Sequence, residues 1–66
     1  MHGTATEQLR RYIQKHRTTQ RALAAELGIS ETHLSAILAG RYGPSLDLAA
    51  RVENLTGIPA RAFASE

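Results

Sequence analysis

The placement of hydroxyl residues and glycines constrains this chain more than any other feature. Thr4, Thr19, Ser30 and Ser45 each stand ahead of a run rich in alanine and leucine, and Gly28, Gly40 and Gly57 close three of those runs. A Ser or Thr side chain accepts a hydrogen bond from a free amide at a helix start. Glycine adopts the left-handed conformation that ends a helix without steric cost. Period-two alternation of β-branched residues is absent from the sequence, so nothing argues for strands.

This punctuation predicts five short helices. Thr4-Ala5-Thr6-Glu7 fits a capping box, with the Thr4 hydroxyl and Glu7 carboxylate each meeting a free amide, and the first helix runs to about His16 with Leu9, Ile13 and Tyr12 inward. The second, Gln20 to Leu27, starts at Thr19 and turns Leu23, Ala24 and Leu27 to one face. The third runs from about Glu31 to Ala39, burying Leu34, Ile37 and Leu38. Arg41-Tyr42-Gly43-Pro44 reads as a turn. Behind Ser45, the fourth helix points Leu48, Val52 and Leu55 inward, and Pro59 suits the first turn of a short fifth helix carrying Phe63.

Only 14 of the 66 residues are Leu, Ile, Val or Phe, against 11 alanines, so the core is thin. A domain of this length buries about 60% of the surface that its unfolded chain exposes. The absence of cysteine rules out a disulfide framework and a thiolate zinc site. Ala36-Ile37-Leu38-Ala39, the longest apolar run, falls far short of the roughly 20 residues a membrane helix needs. Met1-His2-Gly3-Thr4 lacks the basic start and apolar stretch of a signal peptide. A single soluble all-α domain over residues 1–66 is expected, cytoplasmic, with no metal, cofactor or membrane contact. The sequence holds no His-Glu-x-x-His, no glycine-rich phosphate cradle and no nucleophile–base spacing. Glu31 and His33 are two apart and do not share a helix face. The chain therefore reads as a binding protein rather than an enzyme, and His2 and His16 read as solvated.

The net charge of +2 is unevenly spread. Arg10, Arg11, Lys15, Arg17 and Arg21 face only Glu7 in the first 21 residues, a balance of +4. Beyond them Arg41, Arg51 and Arg61 are outweighed by Glu26, Glu31, Asp47, Glu53 and Glu66, a balance of −2. The asymmetry fits a polyanion at one end, and equally a helix with solvated arginines.

Gln20 to Leu38 carries a more specific pattern. Two helices crossing steeply over a turn of about three residues need a small residue where they meet, a glycine in the turn and apolar residues after it. Ala24, Gly28, Ile29, Leu34 and Ile37 meet those needs. The segment TQRALAAELGISETHLSAILAG resembles the helix-turn-helix of the phage Cro and repressor family, also called the xenobiotic-response-element type. The likeness is close from Thr18 to Gly40, with the motif at about 19–39, and looser over Pro44 to Phe63.

The resemblance implies a compact five-helix, lambda-repressor-like domain with the third helix in the major groove of double-stranded DNA. It implies a transcriptional regulator, bacterial or phage-encoded and nucleoid-associated. Such a protein represses by occupying a palindromic operator as a homodimer, with half-sites about 34 Å apart. In the similar family the glutamine at Gln20 bonds a phosphate and braces the reading helix. Glu31, Thr32 and Ala36 match its base-reading positions, with Ser35 and His33 beside them. A glutamate accepts from cytosine N4, threonine bonds most base edges, and an alanine methyl suits the thymine methyl. A carboxylate in a first helical turn is also stabilised by the helix dipole alone, by roughly 0.3–1 kcal/mol, so both readings of Glu31 stand. The reading helix has no Arg or Lys, which removes the commonest guanine contact and leaves more to DNA shape and flanking arginines. Ser30, Arg17, Arg21 and Arg41, then Lys15 and Arg10, are the expected phosphate contacts. Ile58 and Phe63 are candidates for a dimer contact, Phe63 equally for the chain's own core. Two other readings share this fold: an antitoxin-like or adaptor module with a protein partner, and the DNA-binding fragment of a longer regulator.

Overall fold

The computed structural model describes residues 4–41 and 43–64. Tyr42, in the expected turn, and His2 lie outside the described residues. The described residues contain five helices and no strand: α1 (Ala5–Lys15), α2 (Gln20–Leu27), α3 (Glu31–Leu38), α4 (Leu46–Thr56) and α5 (Ala60–Ala64). The all-α expectation holds, and the boundaries fall within a residue or so of those the sequence predicts.

The expected hydroxyl caps are all formed. Thr4 Oγ1 accepts from the Glu7 amide at 3.1 Å, Thr19 Oγ1 from Ala22 at 3.0 Å, Ser30 Oγ from His33 at 3.0 Å and Ser45 Oγ from Leu48 at 3.2 Å. Glu7, expected to complete a capping box, instead sets its carboxylate 3.7 Å from Arg11 Nη2 one turn along. Glu53 supplies a cap that the sequence did not suggest, its Oε1 accepting from the Ala60 amide at 2.9 Å where α5 begins.

Ala5, Leu9, Leu23, Ala24, Leu27, Leu34, Ile37, Leu38, Leu48, Ala49, Val52, Ile58 and Phe63 form one core. Leu55, expected inside, packs against it half-buried together with Tyr12, Ile13 and Ile29. α2 packs chiefly on α3 and α4 on α5, while α1 touches both α3 and α5 and bridges the two pairs. Three interhelical turns share one hydrogen-bond pattern. Thr18, Ile29 and Arg41 donate to the carbonyls of Ile13, Ala24 and Ala36, and the preceding residues Arg17, Gly28 and Gly40 donate to Gln14, Ala25 and Ile37. This paired closure requires a left-handed residue. Two of the three are glycines, but the first is Arg17, at φ 51°.

Candidate nucleic-acid interface

Three buried side chains of α3, Leu34, Ile37 and Leu38, turn one face of that helix to the core. At 100° per residue the opposite face must carry Thr32, Ala36 and Ala39, flanked by Glu31 and Ser35. The structure bears this out: Glu31, Thr32, Ser35, Ala36 and Ala39 line a groove of about 370 Å³ together with Gln20 and Arg41. Gln20 comes from the first turn of α2, whose buried residues Leu23, Ala24 and Leu27 fix its rotation against α3. Arg41 reaches the groove because its amide closes the turn after α3 on Ala36 O at 3.1 Å.

Four of the five candidate base readers thus share one surface with Gln20. His33 does not line it and is half-buried on the flank of α3. Ala39, which the sequence reading placed only at a helix end, belongs to the same surface. Its position three residues beyond Ala36 on one helical face was the available clue.

The phosphate candidates separate. Ser30 stands exposed at the start of α3, and Arg17 and Arg21 are exposed on either side of the α2 start. The first turns of α2 and α3 present free amides and the positive ends of helix dipoles, a setting that favours anions. Arg10 and Gln14 line a second groove with Ile13, Gln20, Ser35, Leu38 and Ala39, next to the first. There the Arg10 Nη2 donates to the Leu38 carbonyl. Lys15 lies on the other flank of α1. It lines a groove with Gln8, Arg11, Tyr12, His16, Thr56 and Ile58, away from Gln20 and α3. The basic residues of α1 are therefore divided, Arg10 on one side and Arg11 and Lys15 on the other.

Ile58 and Phe63 are 6% and 8% exposed within the single chain. Their apolar surface packs in the chain's own core, the alternative that the sequence leaves open for Phe63. His16 is exposed, its ring centroid 4.1 Å from that of Tyr12. Among the described residues no group of three or more His, Cys, Asp or Glu is placed to hold a metal ion, and no helix is long and apolar enough to cross a membrane.

A helix-turn-helix family model matches residues 9–63, most of the chain and all of the elements that build the groove. The chain belongs to the helix-turn-helix family. It is 40% identical over 50 residues to an uncharacterised helix-turn-helix-type transcriptional regulator of Methanocaldococcus jannaschii, an alignment covering 76% of each chain. No solved structure matches it. The match takes in both the close resemblance from Thr18 to Gly40 and the looser one over Pro44 to Phe63. Membership supports DNA binding in transcription regulation for this domain.

Proposed function

We propose that this domain binds double-stranded DNA sequence-specifically, as a homodimer on a palindromic operator, and represses transcription by occupying that operator. The observation that carries the reading is the convergence of Gln20 with Glu31, Thr32, Ser35, Ala36, Ala39 and Arg41 on one concave surface. α3 enters the major groove with its outward face against the base edges. Thr32 bonds an edge, Ala36 and Ala39 pack on thymine methyls, and Glu31 accepts from cytosine N4 at the start of the helix. Gln20, Ser30, Arg17, Arg21 and Arg41 meet the phosphates on either side.

Small side chains dominate this face, so the backbone of α3 approaches the bases closely. With no Arg or Lys on α3 itself, affinity comes from the flanks, and neutralising three to five phosphates per copy lowers log K by about 0.9 per phosphate for each tenfold rise in salt.

Selection of binding sites from random duplex DNA tests the reading. A palindrome whose half-sites repeat after about one helical turn supports the homodimer, and a single unrepeated site sinks it. Gln20→Ala combined with Arg21→Ala is expected to abolish retardation of the selected operator while circular dichroism stays helical. Undiminished binding by that folded variant sinks the assignment of the surface.

A further inference from the structure

The two helices of the motif, α2 and α3, have eight residues each, well below the roughly 12–15 at which an isolated helix persists in water. Their orientation is imposed from outside. At the N-terminal ends Thr19 and Ser30 cap the helices from within the motif. The C-terminal ends are held differently. The backbone bonds that close the two turns take the carbonyls of Ala24 and Ala25 after α2, and of Ala36 and Ile37 after α3. The carbonyl of the last residue of each helix goes to an arginine from another helix. Arg51 of α4 donates its Nη1 to Leu27 O at 3.2 Å, and Arg10 of α1 donates its Nη2 to Leu38 O. Both cations lie at the negative end of a helix dipole, where they stabilise it.

The two arginines are differently set. Arg51 is braced along α4 by Asp47, whose Oδ2 is 2.9 Å from Nη2. Arg10 has no carboxylate partner among the described residues. It lies in the groove with Gln20, Ser35 and Ala39, three residues that also line the candidate DNA surface. Its bond to Leu38 ties α1 to the far end of the reading helix across 28 positions of sequence. A guanidinium in that bond links α1 to the end of α3. A lysine would bring charge without the planar fork.

We infer that Arg10 is a positioning residue for DNA recognition, acting through the Leu38 carbonyl to set the angle of α3 rather than by neutralising a phosphate. The inference rests on the reading that α3 enters the DNA groove. A residue that sets the angle of α3 affects contacts that depend on register, those to base edges, and leaves the phosphate count unchanged. A phosphate contact does the reverse.

The test compares the parent with Arg10→Gln on the selected operator and on random-sequence DNA, from 50 to 200 mM salt, at a temperature where circular dichroism shows both folded. The expected result is a loss of roughly tenfold on the operator, the scale of one charge-assisted hydrogen bond. Random DNA is bound nearly as before, at an unchanged salt slope. A slope smaller in magnitude by about 0.9, with equal losses on both DNAs, makes Arg10 a phosphate contact and overturns the inference. A lower melting temperature with unchanged operator binding makes it merely structural and also overturns it. If Arg10→Gln does not fold, Arg10→Lys decides the matter. It keeps the charge, so a reduced operator-to-random ratio supports positioning and an unchanged ratio overturns it. Failure of the parent chain to bind any selected duplex defeats the DNA reading itself, a result distinct from an unchanged ratio.

Discussion

The pair α2–α3 and the pair α4–α5 are built from similar residues and meet opposite fates. In α3 the core takes Leu34, Ile37 and Leu38, and the remaining face is left to small and polar groups around an open groove. In the α4–α5 half the chain turns inward wherever it can. Ile58 and Phe63 are buried, and Glu53 bonds back to the Ala60 amide. Leu46, 88% exposed, is the large apolar exception among the described residues. One half keeps a surface free, and the other closes the core that makes the free surface possible. Recognition should therefore respond to substitutions on the outward face of α2–α3, and substitutions in the α4–α5 half should act through stability alone.

The strongest way to break that division is Phe63→Ala. Removing a buried phenylalanine costs about 3–5 kcal/mol, a large share of the stability of so small a domain. Urea unfolding should register the loss at every protein concentration. A loss that shrinks as the protein is diluted would mean that Phe63 also joins two copies, and the two halves would no longer be separate in role. Operator binding should fall only as far as the folded fraction falls, and a stabilising osmolyte should restore it.

Arg41→Gln works from the other half. It should change stability by no more than about 0.5 kcal/mol, as surface substitutions usually do, while the salt slope of operator binding falls in magnitude by about 0.9. Lys15→Gln removes the same charge from the flank of α1 that faces Thr56 and Ile58, and should leave that slope unchanged. Equal slopes for the two variants would erase the distinction between the flanks.

A finer probe alters the DNA. Replacing single thymines of the operator with deoxyuridine deletes only a methyl group. Each methyl packed on Ala36 or Ala39 should cost about fourfold in affinity, the worth of one buried methylene-sized group. Indifference at every position would show that the small-residue face of α3 does not read by apolar contact.

Local chemistry made most of the fold legible. The hydroxyl caps and the turn glycines act within a few residues of themselves, so Thr19, Ser30 and Gly28 announce their elements without help from distant parts. The outward face of α3 was legible for the same reason, since helical spacing sorts Thr32, Ser35 and Ala36 away from Leu34 and Ile37. The arginines were not. Arg10 and Arg51 bond carbonyls 28 and 24 positions away, and a charged side chain aimed at a distant backbone oxygen leaves no periodic trace. Lys15 is a different case: neighbours along α1 stand on different sides of it, so a count of charge by segment merges groups that the helix separates. Phe63 looked available because it lies near the end of the chain, and only packing shows where it goes.

Arg17 occupies the left-handed position that Gly28 and Gly40 fill in the other two turns. Holding a non-glycine residue there costs about 1–2 kcal/mol, partly offset because a glycine would lose more freedom on folding. The surrounding bonds, from Arg17 to Gln14 O and from Thr18 to Ile13 O, hold the conformation nonetheless. A glycine at this position would relax the backbone and delete a cation beside the start of α2. Heat tolerance would therefore favour glycine at position 17, and the proposed phosphate contact would favour arginine.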